Sequence, residues 1–218
     1  MTRSDRQGPQ LSRRAVLLLA VAFSAAPAID AGAAEDADAE AFIRRLGDRT
    51  LTLLDQPIPQ QEKLQGLKQL LDESTDLELI AKLVLGRYWR QASAPQQAEY
   101  LRLFKELVMQ TMAERMSWYN GQTFEITGGK PIDERDTMVS SRIIRPSGKP
   151  PIMVDWRVRE AQGAYLLIDI LAEGVSLVVT QRSEAADVIS QRGIDGLLGD
   201  MRTRLAKRDA LPGTSVKS

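Results

Sequence analysis

The sequence predicts an α+β domain: a twisted antiparallel sheet with N-terminal and C-terminal helices packed on it. Three observations carry this. Apolar residues recur at helical spacing between Glu35 and Met116. The period falls to two between Gln122 and Thr180, with turn clusters between the runs. Helical spacing returns after Gln181. A change of period from 3.6 to 2 and back marks helices, then strands, then helices.

Each element has its own signal. Glu35–Asp55 places Phe42, Leu46, Thr50, Leu53 and Leu54 on a helical stripe, and Pro57 and Pro59 end it. Gln60–Glu73 carries Leu64, Leu67, Leu70 and Leu71 on one face. Asp76 is the expected N-cap of a third helix with Leu77, Ile80, Leu83 and Val84, stopped by Gly86. Ser93 and Gln96 form a capping box with Pro95 in the first turn, opening what is expected to be the longest helix, running to about Met116. Its apolar positions are Tyr100, Leu101, Phe104, Leu107, Val108, Met112 and Met116. Strands are expected at Gln122–Thr127, ended by Gly128 and Gly129, and at Met138–Arg145. The clearest is Ile152–Glu160, with Ile152, Val154, Trp156 and Val158 on one face and Met153, Asp155, Arg157 and Arg159 on the other. That alternation means one buried and one wet face. Ala164–Leu171 and Val175–Thr180 follow, each after a Gly-containing turn. The last helix carries Val188, Ile189, Leu197, Leu198, Met201 and Leu205.

The N-terminus reads as a targeting segment. Arg3, Arg6, Arg13 and Arg14 precede the apolar run Ala15–Phe23, and Ala31-Gly32-Ala33 fits a small-x-small cleavage site. The run falls short of the roughly 20 apolar residues a transmembrane helix needs. Ser12-Arg13-Arg14 before it fits the twin-arginine route as well as the general secretory one. The expected organisation is a signal peptide over Met1–Ala33, one domain over 34–208 and a polar tail over 209–218. The mature chain is then expected outside the cytoplasm.

Composition narrows the chemistry. The 218 residues suffice for one domain with a sizeable core, and 43% apolar with 27% charged residues is ordinary for a globular protein. Basic and acidic residues number 29 each, so no polyanion-binding character and no nucleic-acid partner is expected. There is no Cys and no His, which rules out disulfides, Ser-His and Cys-His catalysis, and Cys/His zinc sites. No metal and no cofactor are expected. Asp169 and Glu173 near a strand end could serve as an acid/base pair; hydrogen bonding of Asp169 within the strand and shaping of the Gly174 turn by Glu173 is the favoured reading. Tyr88 and Trp89 between two helices, Trp118 and Tyr119 after the long helix, and Trp156 on the inner strand face fit core packing or the wall of a cavity. Met109, Met112, Met116 and Met153 add adaptable side chains suited to irregular apolar ligands.

Four segments in order resemble one family. They are Leu85-Gly86-Arg87-Tyr88-Trp89-Arg90-Gln91-Ala92-Ser93 with Gln97, Glu99, Tyr100, Leu103 and Phe104; Val154-Asp155-Trp156-Arg157-Val158-Arg159 with Gly163, Ile168 and Asp169; Glu173-Gly174-Val175-Ser176-Leu177 through Thr180-Gln181-Arg182-Ser183-Glu184; and Gly193-Ile194-Asp195-Gly196-Leu197. The set resembles the MlaC family, also called the toluene-tolerance auxiliary family, over nearly all of Phe42–Leu205. The resemblance implies a periplasmic, non-enzymatic phospholipid carrier between an outer-membrane complex and an inner-membrane ABC transporter. It implies that sheet and helices enclose an apolar pocket for the acyl chains. In this sequence the pocket residues are expected among Tyr88, Trp89, Phe104, Val108, Met112, Val139, Ile143, Val154, Trp156, Val158, Ile168, Val175 and Leu177. Arg87 and Arg90 beside Tyr88 and Trp89 fit either a solvated loop or a docking rim. One branch of the family is associated with hopanoid metabolism, so a hopanoid-type lipid is an alternative cargo. A fully packed envelope interaction domain is the alternative from another class. A monomer is expected.

Overall fold

The structure, a computed structural model, describes residues 31–146 and 148–209, with side chains over 38–146 and 148–207. The expected signal segment up to residue 30 and the tail from residue 210 lie outside the described residues. Ala31–Ala33, expected at the cleavage site, are the start of the first helix.

Four helices come first: α1 (Ala31–Asp55), α2 (Gln60–Ser74), α3 (Leu77–Leu85) and α4 (Ala94–Met116), with a 3-10 turn at Gly86–Arg90. The Asp76 side chain accepts the Leu79 N–H at 2.9 Å and starts α3. Ser93 and Gln96 form the expected capping box of α4. Five strands follow: β1 (Thr123–Pro131), β2 (Asp136–Ile144), β3 (Ile152–Ala161), β4 (Ala164–Ala172) and β5 (Val175–Ser176). They form an antiparallel meander in chain order. The Gln162-Gly163 and Glu173-Gly174 turns have positive φ at both residues, the geometry that matches strand twist in two-residue hairpins. Helix α5 (Leu177–Asp209) closes the chain, kinked at Gly193.

Three expectations are corrected. The helix ending at Met116 is not the longest, since α4 has 23 residues against 25 in α1 and 33 in α5, which runs on through its kink at Gly193. The first strand does not end at Gly128-Gly129. A bulge between Ile126 and Gly128 absorbs one residue and carries β1 on to Pro131. Nor does a strand run over Val175–Thr180, because pairing stops at Ser176 and Leu177 begins α5. The reason is a cap supplied from β4. Asp169 Oδ1 accepts the Val178 N–H at 3.1 Å, and Ser176 Oγ accepts the Val179 N–H at 3.0 Å. Two satisfied helix-terminal donors outweigh the strand preference of Val178, Val179 and Thr180.

Cross-strand register defines the inner face of the sheet. Thr137, Val158 and Leu167 lie in one row; Val139, Trp156 and Ile170 in the next; Ser141 and Val154 in a third. Helix α1 lies over β1 and β2. Its Ala39 and Ile43 are buried with Val139, Val158 and Leu167. A separate cluster joins α3, α4 and α5 through Ala81, Leu85, Tyr100, Leu103, Ala185, Ile189, Leu197, Leu198 and Met201. Burying a side chain of Leu or Ile size contributes roughly 1.5–3 kcal/mol, so both clusters are strong local cores. In the helical one, the buried Tyr100 hydroxyl donates to Ala81 O at 3.0 Å, and burial pushes its pKa up. On the outer sheet face, the Asp136 carboxylate is 0% exposed beneath the guanidinium groups of Arg157 and Arg159.

Candidate functional site

A domain of this size commonly has one contiguous core. Here the sheet and the helices build two. Two helices each carry a row of apolar or small side chains of which only the first packs against one of these cores. On α1 the row is Phe42, Leu46, Thr50 and Leu54; on α4 it is Phe104, Val108, Met112 and Met116. Both follow the i, i+4 spacing that aligns side chains along one helix face. All eight residues are half-buried. The α1 row starts at Phe42, packed on the sheet core, and the α4 row starts at Phe104, packed on the helical core.

Both rows end at the same cleft. Leu54, Ile58 and Met116 supply its apolar lining, and Gln60, Lys63, Ser117 and Tyr119 its polar lining, around a volume of about 350 Å³. The turn between α1 and α2 and the end of α4 meet here through one long-range bond. Tyr119 OH donates to Asp55 Oδ1 at 2.7 Å. Burial, with that carboxylate close by, raises the Tyr119 pKa. Lys63 Nζ donates to Leu54 O, one of the last carbonyls of α1. A wider groove of about 490 Å³ opens among Lys68, Lys105, Glu106, Met109, Gln110 and Leu205. Lys105 Nζ bonds Asp72 at 3.1 Å and ties α4 to α2 beside it.

The structure distributes the expected pocket residues over several places. Phe104, Val108 and Met112 share the α4 row. Val139, Ile143, Val154, Trp156 and Val158 share the inner sheet face by register. Val139, Val154 and Val158 are fully buried there, while Ile143 and Trp156 are half-buried. The Trp156 indole is held by a 2.8 Å bond to Ser141 Oγ. Ile168 is the extra residue of a β4 bulge, and Leu167 stands opposite Val158 in its stead. Tyr88 and Trp89 pack on the helical core under cations, Arg87 over Tyr88 at 5.0 Å and Lys82 over Trp89 at 5.2 Å. Val175 and Leu177 are 59% and 39% exposed at the β5–α5 junction and join neither core.

Sequence reasoning missed the α1 row as a wall and missed Ile58 and Lys63 entirely. The signal for the first was present, since Phe42, Leu46, Thr50 and Leu54 repeat every four residues. The two weighed carboxylates serve the backbone. Asp169 accepts from Ile170 N, Val178 N and Ser176 Oγ, and Glu173 accepts the Met153 N–H at 2.9 Å. Among the described residues no cluster of His, Cys, Asp or Glu could hold a metal ion. Nor is any described helix long and apolar enough to cross a membrane.

Fold and site together define a class: an α+β protein with an open five-stranded antiparallel meander, a divided apolar core and a polar-rimmed cleft at the end of the division. Known proteins share the fold. The profile of the MlaC family, described as MlaC protein, matches residues 44–203. The intermembrane phospholipid transport system binding protein MlaC of Haemophilus influenzae is 27% identical over 130 residues, 58% of this chain and 61% of that protein. The match thus spans less than two thirds of that relative. A phospholipid-binding protein of Ralstonia solanacearum, solved in complex with a phospholipid, superposes with a TM-score of 0.68 at 28% identity. It covers 78% of this chain and 98% of that one. The chain belongs to the MlaC family.

Proposed function

We propose that this protein is a non-enzymatic carrier of membrane phospholipid in the periplasm, exchanging cargo with an inner-membrane ABC transporter and an outer-membrane complex. The observation that carries the reading is the divided core, with two half-buried apolar rows ending at one polar-rimmed cleft. The phospholipid in the Ralstonia relative supports it. The export pattern of Met1–Ala33 supports the compartment.

The physics of the task matches these parts. Each methylene exposed to water costs about 0.8 kcal/mol, so a free diacyl lipid crosses an aqueous space far too slowly. A carrier covers the chains with apolar side chains and needs no covalent step. Met112 and Met116 offer unbranched side chains that re-pack around chains of different length, beside the smaller Val108. Delivery requires a bound state that a docking partner can shift, which favours surfaces that are half-buried over a sealed core.

The test is mass spectrometry of an organic extract of the purified chain. A stoichiometric phospholipid supports the carrier. A hopanoid in its place changes the cargo. Lipid-free protein from a lipid-rich host, repeated across preparations, overturns the reading in favour of a packed interaction domain.

A further inference from the structure

The carrier reading leaves open how the cargo's head group is recognised, and the cleft rim carries an answer. We propose that Lys63, Asp55 and Tyr119 form a subsite for a zwitterionic phospholipid head group, Lys63 taking the phosphate and Asp55 the ammonium. The inference rests on the carrier reading and deepens it.

Four observations converge. The first is position. The cleft lies where the α1 and α4 rows both end, so chains lying along those rows bring the glycerol end of the lipid to this rim. The second is size. About 350 Å³ lies at the small end of the roughly 300–1,000 Å³ of ligand pockets and suits a head group but not two acyl chains.

The third is donor and acceptor capacity. Lys63 is half-buried, and its one bond in the structure goes to Leu54 O. An ammonium has three donors, so two remain for phosphate oxygens. Its stem lies against the cleft lining while the charge is anchored at the C-terminal end of α1, where a cation is favoured. Asp55 accepts one bond, from Tyr119 OH. A carboxylate has about four lone-pair sites, so an ammonium can be added without breaking that bond. Gln60 and Ser117 add neutral polar groups to the lining.

The fourth is charge balance. Lys63 is the one cation of the cleft lining, and Asp55 stands next to that lining, bonded to Tyr119. A head group with one phosphate and one ammonium matches both. A purely anionic one pairs with Lys63 and leaves Asp55 facing a like charge. Trp118, 70% exposed, sits between the two lining residues Ser117 and Tyr119. Indoles favour the membrane–water interface, so this end of the molecule is suited to meet a lipid surface.

The full chain is incubated at low salt with vesicles of equimolar phosphatidylethanolamine and phosphatidylglycerol, reisolated and extracted for mass spectrometry. Exposed ion pairs contribute modestly, so the wild-type protein is expected to enrich phosphatidylethanolamine about two- to fivefold. Asp55→Asn, which retains an oxygen for Tyr119, should bring the ratio to that of the vesicles or below. Lys63→Gln should lower the total of both lipids. Wild-type protein carrying lipid at the vesicle ratio overturns the subsite and leaves the carrier intact, as does an Asp55→Asn ratio equal to the wild type's. Protein that takes up no lipid from either source overturns both.

Discussion

Gly47 of α1 lies directly against the ring of Phe124 in β1: a Cβ at residue 47 would stand 2.1 Å from Phe124 Cε1. The helix can sit this close to the sheet because residue 47 has no side chain. That contact sets the depth at which Ala39 and Ile43 enter the sheet core. Gly47→Ala forces the ring or the helix to move, although alanine is the better helix former. Overpacking of this kind costs about 1–3 kcal/mol. A lower urea midpoint with an unchanged slope is expected; a midpoint equal to wild type would show that the ring swings away freely.

Asp136 ties the outer face together. Arg157 Nε bonds its Oδ2 at 2.8 Å, and Arg159 Nε bonds its Oδ1 at 2.6 Å. Burial works to raise the Asp136 pKa, but the hydrogen bonds from Arg159 and Arg157 outweigh it and hold the carboxyl below its ordinary 3.8. A depressed folded value means that this stabilisation is complete above the unfolded pKa and is lost as pH falls through the folded one. Asp136→Asn should cost about 2 kcal/mol at pH 7, less than for a fully buried pair because both arginines reach water. Unfolding curves from pH 6 to pH 2 should show the gap between wild type and variant closing below pH 3.8. A gap constant over that range would remove the ion pair as its source.

The cap of α5 is equally testable. Asp169→Ala removes the acceptor of Val178 N–H and of Ser176 Oγ together. Loss of a cap costs about 0.5–2 kcal/mol. Hydrogen exchange should speed up at Val178 and Val179 while the amides of Leu198 and Met201 stay protected. Uniform loss of protection would mean that Asp169 supports the whole sheet and not the helix start.

The apolar rows separate binding from folding. Val108→Trp places an indole in the α4 row, where neighbours are half-buried. Co-purified lipid should fall at least severalfold with a nearly unchanged melting temperature. Val139→Trp, at a residue 0% exposed, should instead lower stability by about 1–3 kcal/mol or more. If Val108→Trp keeps its full lipid load, the α4 row does not carry the chains.

Much of this protein was determined by local sequence. Asp76 and Ser93 start their helices with their own side chains, within three residues of the donors they satisfy. The alternation in β3 fixes which side of the sheet Val154, Trp156 and Val158 occupy, because a pleated strand turns successive side chains to opposite faces. The ordered family segments pointed to the fold and the family.

Tertiary structure alone decided the rest. Leu177 begins a helix because Asp169, in another strand, supplies the cap. Leu167 takes the inner position beside Val158 because a bulge shifts the register at Ile168. The cleft forms because Tyr119 reaches Asp55, 64 residues earlier in the chain. Periodicity reports which face of an element is apolar, and a packed core and a cavity wall require the same apolar face. Only the spacing between elements distinguishes them, and the approach of Gly47 to Phe124 shows how closely α1 sits on β1.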